Sequence, residues 1–380
     1  MRVIHCDGSP ESVCELDAAL HAMLTGGDAV APLGPGQPNP PRDPGPGQAV
    51  LGTSGSTGGH KWVQLSAAAL RASAEATHAR LGAPGRWLLA LPAQHVAGVQ
   101  VLVRAALAGN RPAVLDLRGG FDPGGFGIAA HRLTAEGGRC YTALVPTQLA
   151  RLLDTDPGPL AGFDAVLLGG AATPDCLLQR ARAAGVRVVT TYGMTETAGG
   201  CVYDGWPLDG LEIRLNLAGA GDDSGTIELA GPMLATGYLE DPERTAVAFR
   251  DGWFQTSDLG RRDGQGRLQV LGRADDVIIT GGLNVAPSEV EAVLTGLPGV
   301  AAACVVGLPD PEWGQRVTAV VIPTDPGRPP EPGALRVAAC RLLTGAQVPK
   351  EIVVFDALPL RGVGKPDRGA VRTMLVARNR

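Results

Sequence analysis

Leu51-Gly-Thr-Ser-Gly-Ser-Thr-Gly-Gly-His-Lys61 is the stretch around which the chain is organised. Four hydroxyl side chains, Thr53, Ser54, Ser56 and Thr57, stand among Gly52, Gly55, Gly58 and Gly59, and Lys61 closes the run. Glycine lets a backbone reach positive φ and come close to a ligand. N–H groups, hydroxyls and one ammonium can then face a single concavity, which suits a polyphosphate. The spacing is neither GxxxxGK[ST] nor GxGxxG, because Lys61 stands between His60 and Trp62. A surface loop has the same composition, so the flanking sequence must decide.

On both sides of this stretch apolar runs alternate with helical periodicity. Residues 49–52 form a short strand leading into the loop, and Ser66 is a good N-cap for a helix carrying Leu70, Ala74, Thr77 and Leu81 on one side. Strands at 87–91, 113–115, 141–145, 165–168 and 186–190 alternate with helices at 96–108, 128–135, from Pro146, and at 174–184. Such alternation means a parallel sheet wrapped by helices. Ligands of such sheets lie beyond the carboxyl ends of the strands. The glycine-rich loop, His95, Gly169-Gly170 and the residues after Thr190 all follow strands and can meet at one edge.

From Leu211 the period changes to two, in Leu211-Glu-Ile-Arg-Leu, Thr226-Ile-Glu-Leu and Leu268-Gln-Val-Leu, as in half-buried antiparallel strands. Beyond Asp275, a helix from Pro287 and strands at 301–306, 317–322 and 352–355 make a small α+β unit. The expected fold is therefore α/β: a large N-terminal domain (1–273) with an antiparallel β subdomain, then a small α+β domain (274–380).

The chain has 380 residues, 44% hydrophobic and 19% charged, with net charge −5. Two domains are the natural prior at this length. The acidic balance gives no nucleic-acid footprint. Seven cysteines are scattered without a CxxC pair, which argues against zinc or a disulfide framework and for a reducing cytoplasm. The N-terminus, with Asp7, Glu11, Glu15 and Asp17, does not read as a signal peptide, and stable membrane insertion is not expected. Oligomeric state is not readable. Only three lysines occur, Lys61, Lys350 and Lys365, in a chain that otherwise uses arginine. That hints at places needing a compact, flexible charge.

Four further segments carry chemistry. In Tyr192-Gly-Met-Thr-Glu-Thr197, expected just after a strand, Thr195 could bond a phosphate and Glu196 could hold Mg²⁺ through oxygen. A capped turn before a helix would read the same. Trp253-Phe-Gln-Thr-Ser-Asp258-Leu-Gly reads as an aromatic-led turn with one carboxylate, an acceptor suited to a ribose diol or to capping the turn itself. Leu271-Gly-Arg273-Ala-Asp-Asp276 offers a cation with acids behind it, as a surface ion pair also would. Leu358-Pro-Leu-Arg-Gly-Val-Gly-Lys365 puts a lysine on a glycine-flexed loop, where solvated lysines are also common.

In this order the segments resemble the adenylate-forming superfamily of acyl-CoA synthetases, peptide-synthetase adenylation domains and luciferases. The resemblance runs from about residue 52 to residue 372 through six motifs. These are 53–61, Leu91-Pro-Ala-Gln-His95 with Gly98, 192–197, Gly225-Thr-Ile-Glu-Leu-Ala-Gly231 with Gly237-Tyr238, 253–273, and Gly364-Lys365. It implies an enzyme that joins a carboxylate to AMP from ATP, with Mg²⁺, and passes the acyl group to coenzyme A. By resemblance, Thr53, Ser54, Gly55, Ser56, Thr57, Gly58 and Lys61 embrace the β- and γ-phosphates. Gly170, Ala171, Thr191, Tyr192, Gly193 and Met194 flank adenine, Thr195 touches the α-phosphate, and Glu196 binds Mg²⁺. Asp258 and Arg273 hold the ribose, Asp275 is the hinge of domain alternation, Gly281 and Gly282 approach the pantetheine arm, and Lys365 is catalytic.

His60 replaces the proline usual before the loop lysine, which bears on loop stiffness more than on chemistry, since proline adds no donor. The short region before the loop, with Gly199-Gly-Cys-Val-Tyr-Asp-Gly-Trp-Pro-Leu-Asp-Gly210, is similar to the compact o-succinylbenzoate–CoA ligases of menaquinone biosynthesis. Their acid carries a second carboxylate. His95, Gly98 and Gly199 are expected to line the acyl pocket, with His95 open to the reading of a core or capping histidine. Arg104 is a weaker candidate, because an arginine on an apolar helix tends to snorkel outward. The alternatives are another aryl- or fatty-acyl-CoA synthetase, a stand-alone adenylation enzyme, or a non-catalytic nucleotide-binding paralogue.

Overall fold

The computed structural model describes residues 1–54, 60–217, 224–361 and 365–378. Gly55, Ser56, Thr57 and Gly58 lie outside the described residues, as do the side chains of Ser54 and Lys365.

Local chemistry sets the helix after the glycine-rich stretch as expected. The Ser66 hydroxyl accepts from the Ala69 amide at 3.1 Å to start the helix Ala67–Leu81, and Gly82 ends it in the left-handed region at φ 90°. The helix Pro10–Leu24 starts the same way, with Ser9 accepting from Ser12.

Among the described residues a seven-stranded sheet takes the order Trp206–Pro207, Gly199–Tyr203, Val188–Met194, Ala165–Leu168, Cys140–Leu144, Arg86–Leu89, Ala113–Val114. The five strands from Val188–Met194 to Ala113–Val114 are parallel, and the two before them antiparallel. Cys140–Leu144 and Ala165–Leu168 are buried at every residue, because helices cover both faces. The helices Pro10–Leu24, Ala67–Leu81 and Val96–Leu107 pack into one core, and Pro123–Ala135, Pro146–Thr155 and Asp175–Ala183 into the other.

The glycine-rich loop departs from the expectation that it feeds a parallel sheet edge. It connects the antiparallel strands Gln48–Ser54 and His60–Ser66, in register Thr53↔Lys61, within a separate sheet that also holds Arg2–His5, Val30–Leu33 and Gly237–Tyr238. Burial of Trp62, Val63 and Leu65 holds the return strand in place. A second departure is Trp253–Arg262, a ten-residue strand and not a turn. Phe254 and Thr256 are buried in it, and it pairs with Gly225–Ala230 on one side and Leu268–Arg273 on the other. A third is that the strand before Thr195 runs through Tyr192, Gly193 and Met194 and does not end at Thr190.

The buried clusters divide along the chain. Three use residues up to Leu268, and two use only residues from Ile278 onward. The second group belongs to a sheet of Leu283–Val285, Ile278–Thr280, Gly314–Pro323 and Val300–Asp310, with Glu351–Val354 beside Gly314–Pro323. Between the groups run Leu268–Arg273 and the short 3-10 turn Ala274–Asp276. Contacts across the division include Arg261 to Glu289 at 3.1 Å, the Ser288 hydroxyl to the Leu271 carbonyl, and the Cys176 thiol to the Thr295 carbonyl at 3.6 Å. No helix among the described residues is long and apolar enough to cross a membrane.

Candidate active site

The segment Thr195–Thr197 forms a tight 3-10 turn after Met194. The Thr197 hydroxyl accepts from the Met194 amide at 2.9 Å and lies 2.7 Å from the Gly199 carbonyl. Ser73 donates to the Ala198 carbonyl at 3.0 Å from the helix Ala67–Leu81. These bonds hold Ala198 at φ 50°, where a side chain is strained, and such strain persists only where its surroundings fix it.

Glu196 is thereby directed inward, and only 8% of it is exposed. Its Oε1 accepts from the Tyr238 hydroxyl at 2.9 Å, and its carbonyl accepts from the Ala235 amide at 2.8 Å. The Lys61 ammonium stands 5.4 Å from the centroid of the Tyr238 ring. The closing lysine of the glycine-rich stretch thus shares one aromatic ring with Glu196. Among the described residues no group of three or more His, Cys, Asp or Glu side chains could cage a metal ion. A lone inward carboxylate fits the mode in which magnesium is held by one or two carboxylates and by substrate phosphates.

A second grouping forms where Val188–Met194 meets Trp253–Arg262. The Tyr192 hydroxyl donates to Asp258 Oδ2 at 2.8 Å, and Asp258 lies opposite Arg273 in the strand pairing. A register shift between Leu259 and Gly260 interrupts that ladder beside Asp258, and such a bulge re-aims side chains. Burial, then the Asp258 carboxylate, pushes the Tyr192 hydroxyl far above its usual range, so it remains a donor. Arg273 also reaches Asp275 Oδ2 at 3.2 Å, the ion pair that the sequence left open.

Thr191 packs on Gly169, and its hydroxyl points to the Leu168 carbonyl at 3.3 Å. Gly170 has φ 82° and lies beside Val145, with Ala171 half-buried next to it. Gly193 has a steric reason. A Cβ there would fall 2.1 Å from the Gly199 carbonyl, where the two antiparallel strands meet.

His95, Gly98 and Gly199 gather at the start of the helix Val96–Leu107. His95 occupies its N-cap position without a side-chain capping bond, and burial pushes its imidazole pKa down. A Cβ on Gly98 would collide with the Pro92 carbonyl at 2.4 Å, so close packing accounts for that glycine. A Cβ on Gly199 would meet Gln100 at 3.2 Å and Val96 at 3.9 Å.

Arg104 does not snorkel. It is 3% exposed, 5.2 Å over the Trp87 ring and 3.3 Å from the Tyr203 hydroxyl. Trp87 lies at the amino end of its strand, whereas His95 follows the carboxyl end. Arg104 thus sits at the other end of the helix from His95, and stacking on Trp87 replaces the solvent that snorkelling would have reached.

Gly281 and Gly282 make the turn between Ile278–Thr280 and Leu283–Val285, with φ 57° and 78°, as a two-residue hairpin requires. Trp313 packs on Gly281. Among the described residues these glycines share no hydrogen bond with the Glu196 or Asp258 groupings. Lys365 begins a strand paired with Leu360–Arg361, so its backbone belongs to a small hairpin. Tyr238 carries no role in the sequence motif, and its available signal is a tyrosine three residues before the Asp241-Pro242 helix start.

The AMP-binding enzyme family matches residues 7–239, and the AMP-binding enzyme C-terminal domain matches residues 289–365. A probable 2-succinylbenzoate–CoA ligase of Mycobacterium tuberculosis is 48% identical over 327 residues, which is 85% of this chain and 83% of the relative. The o-succinylbenzoate CoA synthetase of Bacillus subtilis, solved with the acyl-adenylate intermediate OSB-AMP, superposes with TM-score 0.76 at 30% identity, covering 85% of this chain and 68% of that one. An amide bond synthetase from Marinactinospora thermotolerans gives TM-score 0.81 at 26% identity, covering 98% and 89%. Matched in this way across both halves of its length, the chain belongs to the AMP-binding enzyme family.

Proposed function

We propose that this protein is an ATP-dependent, AMP-forming 2-succinylbenzoate–CoA ligase of menaquinone biosynthesis, acting in the cytoplasm. The observation that carries the choice of acid is the 48% identity over 85% of the chain to a ligase named for that acid. The residue groupings support the reaction class.

A carboxylate acylates thiols poorly. Its oxygen attacks the α-phosphorus of ATP, the bond to the bridging oxygen of the β-phosphate breaks, and pyrophosphate leaves. The CoA thiolate then attacks the carbonyl carbon of the mixed anhydride, and AMP leaves. The first step brings two anions together, so donors and positive charge must face the α-phosphate. In our reading Thr195 and Lys365 do so, and residues 53–61 hold the outer phosphates. The inward Glu196 carboxylate would hold Mg²⁺, which neutralises charge on the phosphates when bound. Asp258 and Arg273 hold the ribose, and Tyr192 keeps Asp258 oriented. Gly170, Ala171 and 191–194 border adenine, while His95, Gly98 and Gly199 border the acid.

Two half-reactions at one site need a moving part. We take the boundary at 273/274 and Asp275 as pivot. The split of the buried clusters supports this, as does the absence of a core side chain spanning 272–277 among the described residues. Rotation would withdraw Lys365 and bring Gly281 and Gly282 forward.

The test is incubation of the purified chain with ATP, Mg²⁺, CoA and a panel of acids. The expected outcome is AMP and the CoA thioester in equal amounts with 2-succinylbenzoate, and little turnover with benzoate, ferulate or octanoate. Absence of acid-dependent AMP release would exclude the function, and preference for another acid would exclude the substrate. The superposition on an amide bond synthetase favours one second reading, transfer of the acyl group to an amine. Replacing CoA by amines in the same assay distinguishes the two.

A further inference from the structure

The Tyr238 hydroxyl bonds one oxygen of Glu196 and leaves the other free. Oε1 accepts from it at 2.9 Å, and among the described residues Oε2 takes no hydrogen bond and is not enclosed. Both residues are 8% exposed, so bulk water competes little for this bond. The ring itself is fixed. Its backbone pairs with Val63, the Thr245 hydroxyl accepts from its amide at 2.9 Å, and Phe249 meets it edge-on at 6.0 Å. Two cations stand near its centroid, Lys61 at 5.4 Å and Arg244 at 5.9 Å. Arg244 is also drawn to Asp241 at 3.4 Å, whereas Lys61 has no carboxylate partner among the described residues. A cation over an aromatic ring draws on its electron density and makes its hydroxyl a stronger donor.

We propose that Tyr238 is a positioning residue for the nucleotide-bound magnesium, holding Glu196 with its free oxygen toward the metal, with the Lys61 ammonium standing at the same ring. The proposal rests on the reading of Glu196 as the magnesium ligand. Groups that orient a metal ligand typically alter metal affinity by about 10- to 100-fold when removed.

Calorimetric titration of ATP in magnesium and in EDTA separates the metal-dependent part of binding from the rest. Tyr238→Phe keeps the ring, its packing and its cations. It should lower the ratio of ATP affinity in magnesium to that in EDTA by about 10-fold, with affinity in EDTA changed by less than about 2-fold. Glu196→Gln should abolish the ratio, and adding Tyr238→Phe to it should cost nothing more. An unchanged ratio in Tyr238→Phe beside a lost ratio in Glu196→Gln refutes the positioning role alone. An unchanged ratio in Glu196→Gln removes the metal assignment and the proposal with it. Equal losses in magnesium and EDTA would mark Tyr238 as merely structural and also overturn it.

Discussion

The guanidinium of Arg368 lies 3.3 Å from the carboxylate of Asp276, the residue that follows the proposed pivot Asp275. The same guanidinium donates to both oxygens of Glu291 and to the Val305 carbonyl at 3.1 Å. These partners, led by Glu291, hold Arg368 firmly charged against the cost of burial. Arg368 stands three residues beyond Lys365 and opens the terminal helix Arg368–Arg378. It therefore ties the lysine hairpin, the helix Pro287–Thr295 and the turn Ala274–Asp276 into one body. These groups are half-buried, and removing one partner of such an ion pair leaves the others short of a counter-charge. Arg368→Met is expected to destabilise the small lobe by roughly 2–4 kcal/mol, read as a lower denaturant midpoint. Asp276→Asn, which leaves the Glu291 pair intact, should cost less than half of that; equal costs would mean that Asp276 dominates.

Lys365 tests the division of labour between half-reactions. The proposed role of Lys365 as a donor to developing charge makes adenylate formation slower by on the order of 100- to 1,000-fold in Lys365→Ala. Thioester formation from supplied acyl-adenylate should change only a few-fold. Pyrophosphate exchange and thioester release, measured separately, check this, and equal loss of both contradicts the assignment. Asp275→Pro, which stiffens the pivot, should show the reverse bias.

Much of this architecture is legible from local chemistry, and the exceptions share a cause. The helix Ala67–Leu81 and the strand Ala165–Leu168 announce themselves by a capping serine and an uninterrupted apolar run. The return strand His60–Ser66 does not, because adjacent Trp62 and Val63 are both buried, one on each face of the sheet, so no alternation shows. Trp253–Arg262 reads as a turn because Asp258 and Gly260 look like punctuation, whereas pairing with segments on either side in sequence makes it a strand. Arg104 looks like a surface cation until Trp87 and Tyr203 come to it, the latter 99 residues away. The Tyr238–Glu196 and Tyr192–Asp258 bonds span 42 and 66 residues. Each of these features depends on long-range partners, which a local reading cannot pair.

The Tyr192–Asp258 bond yields a prediction about the sugar. A hydrogen bond to a charged group contributes roughly 1.5–3 kcal/mol, so Asp258→Asn should raise the ATP KM by about 10-fold or more. It should also erase discrimination between ATP and its 2′- and 3′-deoxy analogues. Tyr192→Phe leaves the carboxylate in place and should raise KM only a few-fold, retaining discrimination. If Asp258→Asn still discriminates among the three nucleotides, the ribose is held elsewhere.

His78 gives the chain an acid-sensitive point among residues to which no nucleotide chemistry is assigned. It is 6% exposed, its Nε2 is buried without a partner among the described residues, and its neighbour is the buried Arg104. Burial first, and then the Arg104 charge, lower its pKa from 6.5 to about 4. The folded state therefore binds fewer protons than the unfolded chain between these values. Stability is whole above pH 6.5 and declines as pH falls toward 4, by at most about 3 kcal/mol from this group. His78→Gln removes the titration, so the stability difference between wild type and variant should shift in the variant's favour across that window and stay constant above pH 7. Urea midpoints at half-unit pH steps measure it. A difference that does not vary between pH 6.5 and 4 would mean that His78 meets solvent or an acceptor in the folded protein, and that Arg104 is not its electrostatic neighbour.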